Sequence, residues 1–134
     1  MIIEKINIEP LENELPSEYA DRLGIYYTKL VSIKHKKESG QFFTPTPIAN
    51  LMASFSDLES ESLRILDPGC GTAVLTCALI ENITKKNKKL NFIDLVAYET
   101  DPNLISFSQK ALDYLKFWLK ERNVKFQYLL HIHD

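Results

Sequence analysis

With only two cysteines, Cys70 and Cys77, in 134 residues, the chain lacks the thiols for a disulfide framework or a multi-cysteine metal site. The pair reads as a small loop residue and a buried helix residue of a reduced, cytoplasmic protein. No apolar run approaches the roughly 18 residues a membrane helix needs. The opening Met1-Ile2-Ile3 meets Glu4 and Lys5 before a signal-peptide hydrophobic region can form, so no membrane role is expected. Positive charge is not in excess either, since 16 Lys and Arg face 18 Asp and Glu for a net charge of −2. Any contact with a polyanion must come from a local basic patch. What remains, 45% hydrophobic and 25% charged residues, suits one soluble unit with a single core.

Residues 1–15 read as an irregular lead-in around Pro10 and Pro16. From Ser17 the apolar positions Tyr19, Leu23, Tyr26, Tyr27, Leu30 and Val31 recur at helical spacing, with Gly24 as the weak point. Gln41-Phe42-Phe43-Thr44-Pro45-Thr46-Pro47 cannot be helical through its prolines but sets up a helix start before Ile48, Leu51, Met52 and Phe55. After a serine- and acid-rich connection, strand and helix alternate. Leu63–Leu66, Phe92–Tyr98 and Val124–Ile132 read as strands, and Val74–Ile83 and Leu104–Leu119 as helices. The longer helix carries Leu104, Phe107, Ala111, Leu115 and Leu119 on its inner face. The expected class is α/β, a parallel sheet with helices on its faces, preceded by an α-helical segment. The division falls between an N-terminal arm and helix, 1–40, and a sheet-forming part, 41–134.

Chemistry concentrates in Ile65-Leu66-Asp67-Pro68-Gly69-Cys70-Gly71-Thr72, a buried strand entering a glycine turn and then a helix. In an open parallel sheet, ligands bind beyond the carboxyl ends of the strands, where this turn lies. Gly69 and Gly71 let a ligand approach the backbone, and both are free to take positive φ. Asp67 puts an acceptor where a ligand ammonium would sit. A dinucleotide fold would want a third glycine where Val74 stands. Glu99, closing the second strand, is placed to accept from both hydroxyls of a ribose. Asp101-Pro102 then starts the next helix with an acid at its N-terminus.

The Asp-x-Gly-x-Gly form resembles the first motif of S-adenosylmethionine methyltransferases, whose cofactor has an amino acid end and a sulfonium but no phosphate. Phe42-Phe43-Thr44-Pro45, then Asp67-Pro68-Gly69-Cys70-Gly71, then Tyr98-Glu99-Thr100-Asp101-Pro102, in that order, resembles the gamma-class adenine-N6 DNA methyltransferases of restriction–modification systems. These include the methyltransferase parts of type I and fused type II systems, and the likeness covers about residues 36–134. It implies a partial Rossmann-like methyltransferase sheet, its first three parallel strands with flanking helices, that binds S-adenosyl-L-methionine. By the resemblance Gln41 to Pro45, with Phe43, Thr44 and Pro45 foremost, would wrap the amino acid end of the cofactor. Asp67, Gly69 and Gly71 would hold its methionine portion, Glu99 its ribose, and Asp134 would lie near its adenine ring. For the two phenylalanines core packing is the plain competing role, and for Thr44 helix capping.

In that family the transfer itself belongs to an Asn-Pro-Pro-Tyr-type segment that polarises the adenine amino group and stacks on the flipped base. None occurs in these 134 residues, so they alone are expected not to methylate DNA. Other readings of the same motifs are the non-catalytic cofactor-binding half of a split methyltransferase, or part of a protein-glutamine or RNA methyltransferase. The expected partners are double-stranded DNA and restriction or specificity subunits. Two basic runs, Lys34-His35-Lys36-Lys37 and Lys85 to Lys89, are candidate phosphate contacts, the first favoured over the second, though such runs are usually solvated surface. His131 and His133 share a strand face, but no clear third ligand accompanies them and no metal is expected.

Overall fold

The computed structural model describes residues 7–31 and 59–132. Phe43, Thr44 and Pro45, the helix expected after Pro47, the Lys34–Lys37 run, His133 and Asp134 lie outside the described residues. The elements are α1 (Pro16–Leu30), β1 (Ser62–Asp67), α2 (Val74–Lys86), β2 (Phe92–Glu99), a 3-10 turn (Pro102–Leu104), α3 (Ile105–Lys120) and β3 (Lys125–Ile132). The three strands form one parallel sheet in the order β1-β2-β3. This is a partial Rossmann-like sheet.

Both connections step across the sheet in the same direction. With the right-handed crossover that such units follow, α2 and α3 then lie on one face. Burial agrees: Ile93, Leu95, Ala97 and Glu99 of β2 are buried, while Phe92, Asp94, Val96 and Tyr98 between them are only half-buried. Leu66 and Leu129 on that second face stay 66% and 60% exposed. The parallel sheet with flanking helices is as expected; among the described residues the helices cover one face, because two crossovers of equal hand in one direction cannot straddle a sheet.

Along α3, Phe107, Ala111, Leu112, Leu115 and Leu119 are completely buried, as their 3.6-residue spacing predicts. Each large aliphatic or aromatic side chain so buried contributes roughly 1.5–3 kcal/mol. Leu104, expected to open this helix, lies in the 3-10 turn ahead of it, and Asp101 caps the turn by accepting from the Asn103 amide at 2.9 Å. Beyond α3, Asn123 takes a left-handed φ of 62°, which lets Val124 N–H bond back to Leu119 and starts β3 one residue later than expected.

Helix α1 begins on Pro16 itself, whose fixed φ suits a first helical residue. It buries Tyr19, Leu23 and Tyr27 against α2 and α3. Leu15 offers no capping side chain, and the missing acceptor comes from α2: Glu81 accepts from the Ser17 amide at 2.6 Å and the Ser17 hydroxyl at 2.8 Å. Burial pushes the Glu81 carboxyl above its ordinary range, against these two hydrogen bonds, which pull it down.

The described part of the lead-in, from residue 7, is tied to the helices. Tyr19 donates to Ile8 O, Tyr114 to Glu14 O, and Arg22 grips Glu14 through Nε at 2.6 Å and the Glu9 carbonyl at 2.9 Å. Burial pushes the Glu14 carboxyl up, but the hydrogen bonds from Arg22 and Leu11 and the Arg22 charge outweigh it, leaving the group below its ordinary value of 4.5. The unfolded chain therefore takes up this proton first. The contribution is present above pH 4.5 and lost as pH falls through the lower folded value. Because the Arg22 side chain is 36% exposed, solvent screening holds the effect to about 1 kcal/mol. Thermal melts from pH 6 down to pH 3 should fall more steeply for the wild type than for Glu14→Gln, and parallel slopes would refute the assignment.

Candidate functional site

At the carboxyl rim, the turn after β1 meets the end of β2. Asp67 pairs with Ala97 in the parallel ladder, and Cys70 N–H extends the ladder by donating to Tyr98 O at 3.0 Å. The two acids expected to face a ligand therefore share one rim. Glu99 is buried, and its Oε1 accepts from the Gly71 amide and its Oε2 from the Asp101 amide, each at 2.9 Å. Expected only as a ribose acceptor, it is first a clamp between the two loops. Each oxygen keeps lone-pair capacity for a further donor. Asp67 accepts from the Gly69 amide at 3.2 Å and from Thr76 Oγ1 of α2 at 2.5 Å, so strand, turn and helix are fixed together.

The two glycines do different work. Gly71 has φ of 54°, in the left-handed region where a side chain is strained, and its carbonyl accepts from Ser108 of α3. Its identity is explained by the backbone. Gly69, equally free to take positive φ, is not in that region. A Cβ added there would meet nothing within 4 Å. Neither conformation nor packing among the described residues requires Gly69, so open space at the rim is what it provides. Ala73, two residues past Gly71, is completely buried with φ of 69°, a left-handed residue that costs roughly 1–2 kcal/mol and carried no sequence signal.

Behind the rim stands α1. Tyr27 donates a short hydrogen bond to Asp101 Oδ2 and packs edge-on against Phe107 at 5.4 Å between ring centroids. The lead-in helix thus supports the loop whose amide Glu99 holds, a link spanning 74 positions that no local pattern announces. Cys70 is buried, and desolvation, reinforced by the charge of Asp67, pushes its thiol up to about 12. Burial likewise raises Cys77 well above its ordinary value, so both stay protonated thiols. His131 stacks on Tyr98 at 5.0 Å, and no metal-holding cluster occurs among the described residues. Lys85, Lys86, Lys88 and Lys89 sit at the far end of α2, away from the rim, where cations complement a helix C-terminus.

The profile of the family described as N-6 DNA Methylase matches residues 19–111, more than half of the chain and all of the rim just described. The chain belongs to the N-6 DNA methylase family. Two curated relatives are type II methyltransferase M.AccI of Acinetobacter calcoaceticus, 30% identical over 87 residues, and type II methyltransferase M.BsuBI of Bacillus subtilis, 33% identical over 89. The matched stretches cover 65% and 66% of this N-6 DNA methylase chain but only 15% and 17% of those proteins. A solved Listeria monocytogenes protein, described as a class I S-adenosylmethionine-dependent methyltransferase, superposes over 91% of this chain and 35% of its own. Its TM-score is 0.52 at 24% identity, a likeness of fold.

Proposed function

We propose that this chain forms the S-adenosyl-L-methionine-binding part of a DNA adenine-N6 methyltransferase of the restriction–modification type. The observation that carries the reading is Gly69: a glycine with open space where its side chain would be, in the turn whose amides Asp67 and Glu99 accept from. The donor chemistry fits the cofactor. Asp67 offers an acceptor to an ammonium, Glu99 offers two to a diol, and two carboxylates on one rim repel a pyrophosphate while favouring a sulfonium. When bound, the cofactor supplies an activated methyl group; the residues here bind and orient it. Phe43, Thr44 and Pro45 and Asp134 complete the proposed cofactor set.

Family membership favours DNA adenine over protein glutamine or RNA as the acceptor. Double-stranded DNA is the proposed substrate, with restriction or specificity subunits as partners and the cytoplasm as location. No helix among the described residues is long and apolar enough to cross a membrane. Because none of the 134 residues forms an Asn-Pro-Pro-Tyr-type segment, we expect them to hold the cofactor without transferring its methyl group. Labelled-methyl incorporation into DNA by this chain alone would refute that.

The sharpest test is Gly69→Ala, measured by calorimetric titration with S-adenosyl-L-methionine. A methyl in open space should change stability by less than about 0.5 kcal/mol yet weaken binding at least about tenfold. Asp67→Ala, which also releases Thr76, should weaken binding comparably and lower the melting temperature as well. Undiminished binding by Gly69→Ala would sink the assignment of this space to the cofactor.

A further inference from the structure

At the end of the helical layer opposite the glycine rim, two clefts of 670 and 520 Å³ lie side by side, sharing Leu15, Trp118 and Arg122 as the ridge between them. The larger opens toward Lys85 and Lys88, and the smaller toward Glu12 and Glu121. All four of these charged residues are exposed. Beside the charges the surface is apolar: Leu15, 39% exposed, stands on the ridge, and Leu11 and Phe117, 60% and 57% exposed, line the smaller cleft. Arg122 lies flat over the Trp118 ring at 3.8 Å and donates to the Trp118 carbonyl at 3.0 Å, which holds the ridge rigid. Lys85 also complements the negative end of α2, but that gives no reason for three large apolar side chains to stand in water on the ridge and in the neighbouring cleft.

We propose that this face is a self-association surface on which a second copy of the chain docks about a two-fold axis through the apolar ridge. The charge pattern selects the occupant. A two-fold axis sets each patch against its own image, so what lies on one side of the centre meets what lies on the other. Here two lysines on one side and two glutamates on the other are matched in number and opposite in sign. Each copy offers the complement of its neighbour at both ends, while Leu15 is covered at the centre and Leu11 and Phe117 are set against the larger cleft of the second copy. Rim charges of this kind set register and partner choice, and the apolar centre supplies most of the affinity. The inference does not rest on the cofactor reading, since the face lies at the opposite end of the strands from Asp67 and Glu99.

Sedimentation velocity on the full chain, from micromolar to near-millimolar concentration in low salt, tests it. A reversible dimer is expected. Lys85→Glu with Lys88→Glu, and separately Glu12→Lys with Glu121→Lys, should each weaken self-association about tenfold or more. An equimolar mixture of the two reversed chains should restore it, because at the four flanking positions one then carries only acids and the other only lysines, with Arg122 unchanged on the ridge of both. Phe117→Ser, at an exposed site, should weaken the dimer without lowering the melting temperature. Trp118 is the only tryptophan, so its emission should shift with concentration in parallel. A chain that stays monomeric, a dimer indifferent to these substitutions, or reversed chains that fail to pair would each overturn the proposal. So would a monomer on which this face binds a different protein or another stretch of the same polypeptide.

Discussion

Replacing Glu99 by alanine should both loosen the fold and abolish measurable cofactor binding. The substitution removes the acceptor of two amide donors, on Gly71 and Asp101, that the folded chain withdraws from bulk water. Each buried donor left without a partner costs about 1–3 kcal/mol. Gly71 is half-buried, so water can reach it and soften its share, and a total of about 2–4 kcal/mol is expected. For a domain of this size that corresponds to a melting temperature lower by roughly 10 °C. Binding should fall by more than about a hundredfold, since the rim loses an acceptor and the clamp on both loops together. Glu99→Gln should lie between, keeping one acceptor but turning an NH2 toward the other amide. If alanine changes neither the melt nor the titration, Glu99 is a bystander.

Tyr27→Phe carries the next largest effect, and it acts at a distance. Tyr27 is wholly buried and Asp101 nearly so, and a hydrogen bond to an ionised group contributes about 1.5–3 kcal/mol. Phenylalanine keeps the packing on Phe107, so the loss isolates the hydroxyl. A destabilisation of about 2 kcal/mol should come with a severalfold weaker grip on the cofactor, because Asp101 also supplies an amide to Glu99. In a cycle with Asp101→Asn, the two changes should cost clearly less together than their sum. Strict additivity would show that the hydroxyl and the carboxylate are not coupled.

How much of this could be read beforehand differs between backbone and rim. The strands and helices were legible because their cues are local. Leu104, Phe107, Ala111, Leu115 and Leu119 repeat at helical spacing, and the Asp67–Gly71 turn carries its glycines in the open. The family resemblance rested on that turn, on the Phe42–Pro45 element before it and on Tyr98–Pro102 after it. The clamp was not legible, because a carboxylate that accepts from an amide 28 positions away looks, in sequence, like one that faces solvent or ligand. Ala73 gave no sign of its left-handed backbone. The Glu81–Ser17 contact had half a signal: a helix opening on Leu15-Pro16 lacks a capping side chain, so an acceptor had to come from elsewhere, although nothing named α2 as its source.

The ties that bring the two rim loops and the helices behind them together join distant parts of the chain: Gly71 to Glu99 across 28 positions, Gly71 to Ser108 across 37, and Tyr27 to Asp101 across 74. Such contacts form only after the intervening loops have closed, so the rim is among the last parts of the molecule to assemble. A half-folded or newly emerging chain would own the helices without owning a pocket, and occupancy by a small molecule would then count completed molecules and draw the population toward them.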